Sequence, residues 1–414
     1  MNAELNDVTI KARFVVSGEG PIIENGFVEF QKGRITEVGR GSPRIRPVDL
    51  GDVTLFPGFV NAHTHLELSD LAGRIEPGPD FCDWLRRIVT ATQAPRSPDQ
   101  IQVALRIGVL QSIRSGVTAL GDITRFPAAT RSVLASSPLR VVSFGEVTAI
   151  GNRRNMLDDR LADALRAEPL TQSLRIGLSP HAPYSVDPIG LRKVAEIART
   201  RQLPVCVHAA ESPDEDEFVR NGTGPFAELL KSLGIWEDSI RGSNVGTIEL
   251  LNEVGLLTPR TVLPHANYVS DADIDLIAKS QSSVAYCPRT HAAFGHTPHR
   301  FREMLARGIN VCLGTDSLAS NPSLSLLDEI RFLRQSYPDF PSADLARMAT
   351  LNGAQALGVV SETGSITVGK WADLVSVKMG DSTKASQWDS ILDSNCEVVQ
   401  VWMRGAPQIS AAPG

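Results

Sequence analysis

A chain of 414 residues is long enough for one large domain with a smaller companion and can bury a sizeable core. With 42% hydrophobic and 21% charged residues the make-up is that of an ordinary globular protein, which excludes a disordered or fibrous one. A formal net charge of -6, without any cluster of Lys and Arg, excludes an electrostatic footprint for nucleic acid or an anionic membrane, so the expected partner is a small molecule.

The first ~55 residues alternate short β-rich runs with turn signals, VTIKARFVV, SGEGPII and GFVEFQKGRITEVGRG. The same texture returns near the other end in GSITVGKWADLVSVKM and CEVVQVWMRGAPQI. Both termini are therefore expected to build one accessory β-sandwich-like domain, 1–56 with 358–414, beside a central domain over 57–357. The stretch MNAELNDVTIKARFVV carries acidic residues where a secretory leader needs positive charge, and no run of about 18 apolar residues occurs, so a cytoplasmic location is expected. The five cysteines, Cys82, Cys206, Cys287, Cys312 and Cys396, show no CxxC spacing and are read as reduced thiols.

In the central stretch eight short β-branched runs are each followed by a loop and a helix-length amphipathic segment. They are FPGFVNAHTH, VTALGDI, RVVSFGEV, RIGLSPHA, PVCVHAA, TVLPHANYV, SSVAYCP and INVCLGTD. The helical segments include PDQIQVALRIGVLQSIRSG, IGLRKVAEIARTRQ and DADIDLIAKSQ. Eight β/α units in about 300 residues predict an α/β fold, a (β/α)8 TIM-type barrel. No GxGxxG follows the first run, which argues against a doubly wound nucleotide-binding sheet.

Chemistry in such a barrel belongs at the C-terminal ends of the strands and in the loops beyond them, and all eight histidines fall there. His63 and His65 end the first run, His181 the fourth, His208 the fifth and His265 the sixth, while His291, His296 and His299 follow the seventh. A single histidine at a strand end is more often a hydrogen-bonded polar residue than a ligand; the joint placement points to a metal. Alternate residues of a strand share a face, so His63 and His65 should both look into the barrel with Thr64 turned to the helices. Imidazole suits zinc and iron, and an open catalytic site combines a few protein ligands with a position left for water. His208 offers a third imidazole and Asp316, in VCLGTDSLASNP, a carboxylate. A two-metal barrel bridged by a carbamylated lysine would need that lysine near the end of strand four. The run there supplies His181, and Lys193 and Lys231 fall in helical segments, so one divalent ion is expected.

In order and spacing, PGFVNAHTHLE, VHAAE, LPHANYV, YCPRTHAAF and LGTDSLASNPSLSLLDEIR resemble the amidohydrolase superfamily, and within it the mononuclear aminohydrolases. GSITVGKWADLV resembles the segment that rejoins the accessory β domain of that family. The resemblance implies one divalent metal, zinc with iron as the alternative, on His63, His65, His208 and Asp316. It implies Asp316 as base as well as ligand, Glu211 as proton shuttle, and His265 as the group that steadies the attacking hydroxide or developing oxyanion. The activity implied is hydrolytic deamination of an aminated heterocycle, and a homodimer is the assembly many members form. HAAE and PHAPYS are similar to segments of deaminases of adenosine-type nucleosides, with aminodeoxyfutalosine, of menaquinone biosynthesis, or S-adenosylhomocysteine as the expected substrate. Trp84 in FCDWLRR is then expected to stack on the base, or to pack inward as a helix residue, and His181 to contact the sugar or adjoining polar groups.

Two features depart from that pattern. Members commonly place an acid shortly after the tryptophan to hold ribose hydroxyls, whereas LRRIVTATQ offers none before Asp99; either another residue, with Glu67 as the candidate, does that work, or the substrate is not such a nucleoside. The loop THAAFGHTPH is histidine-rich where relatives carry a Ser-Asn pair; His291 is open between pocket and surface, and His296 and His299 are expected on the surface. The alternatives are an s-triazine or other heterocycle chlorohydrolase or aminohydrolase, and a catalytically inactive barrel scaffold. The complete ligand set argues against the scaffold.

Overall fold

The computed structural model describes residues 7–93, 96–167, 169, 171–379, 387–392 and 396–410. The extreme ends assigned by sequence to the accessory module, 1–6 and 411–414, and its stretches 380–386 and 393–395 lie outside the described residues. The chain begins with β1 (Val8–Val15), β2 (Ile23–Gln31), β3 (Arg34–Arg40), β4 (Val48–Asp49) and β5 (Val53–Pro57). Lys32 and Gly33, both at positive φ (50° and 77°), form the two-residue turn between β2 and β3 that suits the twist of a hairpin. Eight barrel strands follow: β6 (Phe59–Thr64), β7 (Val117–Thr124), β8 (Arg140–Val147), β9 (Leu174–Pro180), β10 (Val205–Cys206), β11 (Thr261–Pro264), β12 (Ser283–Tyr286) and β13 (Val311–Leu313). The chain returns to the accessory sheet with β14 (Leu374–Lys378), β15 (Glu397–Met403) and β16 (Ala406–Ser410).

Both termini meet in one mixed sheet of order β16-β15-β14-β5-β1-β2-β3, with β4 beside β1, and the join is the antiparallel pairing of β14 with β5. A single residue, Gly58, separates this sheet from the barrel. A Cβ there would lie 2.1 Å from the Thr118 hydroxyl, so only glycine lets the chain cross so close to β7.

The barrel strands are parallel in sequence order, as the eight β-branched runs predict. The ring closes where β6 meets the end of β13: Thr64 bridges Asp316, the Thr64 hydroxyl donates to the Asp316 carbonyl at 2.8 Å, and Asn61 Nδ2 donates to the Thr315 hydroxyl at 2.8 Å. Small and medium side chains such as Val60, Ala62, Ala119, Val142, Cys206, Val262 and Ala285, together with the larger Phe144, fill the interior in one buried cluster. Outside lie amphipathic helices, the first two being α1 (Phe81–Gln93) and α2 (Pro98–Arg114). In α2 Ser97 and Gln100 form a capping box, Pro98 starts the helix, and Ile101, Ala104, Leu105 and Ile113 bury one face. The five cysteines are buried, and among the described residues no helix is long and apolar enough to cross a membrane.

Candidate metal-dependent active site

Four barrel strands deliver their C-terminal ends to one point. His63 and His65 come from β6, His208 follows β10, His265 follows β11 and Asp316 follows β13, all of them buried. Strict alternation does not explain the inward turn of His63, because Val60 and Ala62 already occupy interior positions and would place Thr64 inward next. The β6–β7 register shifts between Asn61 and Thr64, and this irregularity re-aims the strand end; Thr64 serves barrel closure instead of facing the helices. Gly314 permits the approach of β13, since a Cβ there would lie 3.0 Å from His63 Cβ.

The donor atoms crowd together. His65 Nε2 and His208 Nε2 stand 3.2 Å apart, and Asp316 Oδ1 lies 3.6 Å from His63 Nε2 and 3.7 Å from His65 Nε2. The donors of His63, His65 and Asp316 lie within 4.8 Å of one another, and so do those of His63, His208 and His265. His208 Nδ1 donates to the His181 carbonyl at 2.8 Å, which fixes the tautomer and leaves Nε2 as a lone pair. Burial, followed by the neighbouring imidazoles, holds His65 and His208 well below the usual histidine range. Buried neutral imidazoles aimed at each other, with His63 Nε2 lacking any hydrogen-bond partner, are an arrangement a cation satisfies. Two nitrogens on one tetrahedral zinc at 2.0–2.1 Å stand about 3.3 Å apart, close to the separations found. The residues present therefore fit a divalent metal.

Beside this cluster Glu211 Oε1 sits 3.2 Å from His265 Nε2, although the ring nitrogen is not aligned for a hydrogen bond. Burial, then Asp316 and Glu215, raises the Glu211 carboxyl well above the usual carboxylate range, while burial lowers His265 to about 3. Burial thus favours keeping the proton on the Glu211 carboxyl rather than on the His265 ring that faces it. Asp316 behaves oppositely. Burial works against its charge, but His63, His265 and the Ser320 hydroxyl, 2.5 Å from Oδ2, outweigh it and hold the carboxyl down. Ala210, His265, Ala266 and Asp316 all have left-handed φ (52°, 69°, 50° and 56°), conformations that non-glycine residues keep only where their surroundings impose them. One such restraint is Glu215, whose carboxylate accepts the backbone N–H groups of Ala210 (3.0 Å) and Glu211 (2.8 Å). Sequence reading missed it inside the acidic run ESPDEDE; its spacing of four from Glu211, one helical turn, was the available signal.

The cluster forms the polar floor of a cavity of about 280 Å³, close to the lower end of the size range of small-molecule sites. Leu68, Phe81, Trp84, Tyr184, Phe226 and Leu230 supply an apolar wall. Trp84 lines this cavity while packed edge-on to Phe294 at 5.0 Å, so it is at once a wall residue and an inward-packed helix residue. His181 lines it too, with Nδ1 2.8 Å from the Ser185 hydroxyl and its pKa lowered by burial to about 4. Glu67 reaches the cavity but is not a free acceptor: Oε1 takes Arg125 Nε at 2.8 Å, and Oε2 takes the Thr124 hydroxyl and the Arg125 backbone N–H. Arg125 and Glu146, at the ends of β7 and β8, line the same space and were not singled out from sequence, although their strand-end positions marked them.

Among the histidines after β12, the surface expectation fails for His299. It is buried, stacked on Tyr286 at 3.9 Å, and its Nε2 donates to the His265 carbonyl at 2.8 Å, supporting the left-handed turn there. His291 is buried as well, and His296 is half-buried against the Tyr268 hydroxyl at 3.1 Å. Lys193 and Lys231 lie on helices, paired with Asp158 and Glu228.

Comparison with known proteins agrees with this architecture. The chain is 30% identical over 375 residues to a 5-methylthioadenosine/S-adenosylhomocysteine deaminase of Thermoanaerobacter pseudethanolicus, a match covering 86% of this chain and 81% of that protein. The structure of Helicobacter pylori aminofutalosine deaminase in complex with methylthio-coformycin matches with a TM-score of 0.84 at 26% identity, over 97% of this chain and 100% of that one. Atrazine chlorohydrolase of Arthrobacter aurescens, solved with zinc, has a TM-score of 0.82 over 97% of this chain and 95% of its own, but at 20% identity it shares the fold alone. The profile of the Amidohydrolase family matches residues 54–407, and the chain belongs to that family.

Proposed function

We propose that this protein is a metal-dependent hydrolytic deaminase of adenosine-type nucleosides, with aminodeoxyfutalosine or S-adenosylhomocysteine as the natural substrate. A single divalent ion, zinc ahead of iron, is assigned to His63, His65, His208 and Asp316, and the catalytic unit to 57–357 with 1–56 and 358–414 as its accessory module. The observation that carries this reading is the convergence of the histidine–aspartate cluster and the buried Glu211 carboxyl on the floor of an aromatic-walled cavity. The likeness to nucleoside deaminases supports the substrate class.

A divalent ion held by His63, His65, His208 and Asp316 would lower the pKa of a bound water to near 7. Asp316, whose carboxyl is held down, is the group placed to take a proton from the attacking water. Glu211, whose raised carboxyl favours the protonated form, gives its proton to the ring nitrogen next to the carbon that carries the amino group, then takes the proton of the added hydroxyl and passes it to the departing ammonia, while the proton on Asp316 returns to Glu211. The net change is C–NH2 plus water to C=O plus ammonia. His265, 3.2 Å from Glu211 and held well below the usual histidine range by burial, steadies the oxygen being added. The aromatic wall flanks the base and excludes bulk water from it. Ammonia release from aminodeoxyfutalosine, S-adenosylhomocysteine, 5-methylthioadenosine and adenosine, set against a panel of s-triazines, tests the reading. Turnover of triazines alone would overturn it, and purified protein without stoichiometric metal would favour the inactive scaffold.

A further inference from the structure

We infer that Glu146, at the end of β8, is the acceptor for the vicinal hydroxyls of the substrate's ribose. The inference rests on the nucleoside reading above and names the residue that recognises the sugar. Four carboxylates line the cavity, Glu67, Glu146, Glu211 and Asp316. Asp316 is engaged by the imidazole cluster and Ser320, Glu211 faces His265, and both oxygens of Glu67 are occupied by Arg125 and Thr124. Glu146 alone among the four makes no hydrogen bond or ion pair with any described residue, so its acceptor capacity is open to the cavity.

Its position suits a sugar. In the barrel ladder Glu146 lies opposite Ser179 of β9, the strand that ends at His181, and β10, which leads to His208, is the next strand along. Two strand spacings place the Glu146 backbone roughly 10 Å from that of the metal-proximal strand, about the length of a purine with its ribose. A base whose reacting carbon is at the histidine–aspartate floor would thus carry its sugar past His181 toward Glu146. Two carboxylate oxygens match two adjacent O–H donors, and charge-assisted O–H···O bonds of this kind are short and strong. Arg125 and Arg160 bias the site toward the ionised acceptor. Burial pushes the Glu146 carboxyl up to about 7, the mark of an acceptor lacking donors, and two sugar hydroxyls would reverse that shift.

The test compares the specificity constant (kcat/KM) for adenosine with that for 2',3'-dideoxyadenosine in wild-type protein, Glu146→Gln and Glu146→Ala, with metal content and melting temperature recorded for each. Wild-type protein is expected to prefer the ribonucleoside by at least roughly tenfold, and E146Q to shrink that ratio by about tenfold, chiefly through KM. If E146A is unfolded, E146Q, which keeps shape and one acceptor oxygen, decides. An unchanged ratio in a folded, metal-loaded E146Q overturns the sugar subsite while leaving the deaminase reading intact. Failure of wild-type protein to deaminate any nucleoside overturns both.

Discussion

Replacing Glu211 by glutamine isolates the proton transfer from everything else the residue does. The side chain is 6% exposed, its backbone N–H is held by Glu215 at 2.8 Å and its carbonyl by Asn267 Nδ2 at 3.0 Å, so the substitution changes one terminal atom and leaves the loop clamped. Because burial raises the carboxyl well above the usual carboxylate range, glutamine is the uncharged match for the acid's protonated form, and neither substrate affinity nor the field at Asp316 should change much. What disappears is the transferable proton. General acid–base catalysis contributes about 10²–10⁴ in rate, roughly 2.7–5.4 kcal/mol of barrier. We expect Glu211→Gln to lower kcat for ammonia release at pH 7 by that factor, with KM within about threefold and metal content unchanged. The same protein should melt no lower than wild type at pH 8. An acid with a raised folded pKa contributes stability that is complete below its unfolded value and lost as pH rises through its folded value, and glutamine removes that loss. A kcat within about tenfold of wild type would refute the shuttle, and loss of metal would show Glu211 to be a ligand.

His63→Ala should weaken metal binding by more than about 100-fold and leave purified protein substoichiometric by elemental analysis; full occupancy would remove His63 from the ligand set. Glu329, fully buried, accepts from Asn321 Nδ2 at 2.7 Å and from the Arg289 backbone at 2.9 Å, tying together the loops after β12 and β13, and burial pushes it from 4.5 to about 7. Its contribution to stability is complete below pH 4.5 and declines as pH rises through 7, so Glu329→Gln should flatten the change in urea midpoint between pH 5 and pH 8. An unaltered pH dependence would show that the carboxyl is already ionised in the folded protein.

The sequence by itself determined the barrel, the accessory sheet drawn from both ends, and the strand-end placement of His63, His65, His208, His265, Glu211 and Asp316. These features were legible because apolar periodicity and turn residues act over short stretches, and because a barrel of parallel strands puts all its C-terminal ends on one face. Tertiary structure alone decided which polar groups those ends hold and which they leave free. The inward turn of His63 depends on a register shift against β7, not on alternation within β6. Glu67 was offered to the sugar but is consumed by Arg125, a residue 58 positions away, whereas Glu146 is left open. His299, placed on the surface, is buried under the β11 turn it supports, and Glu215, one acid among several in ESPDEDE, is the one that clamps Glu211. Whether a loop carboxylate or imidazole is a solvated surface group, a clamp or a reactive group depends on the donors and apolar surface that distant segments bring over it, and a local pattern does not contain that information.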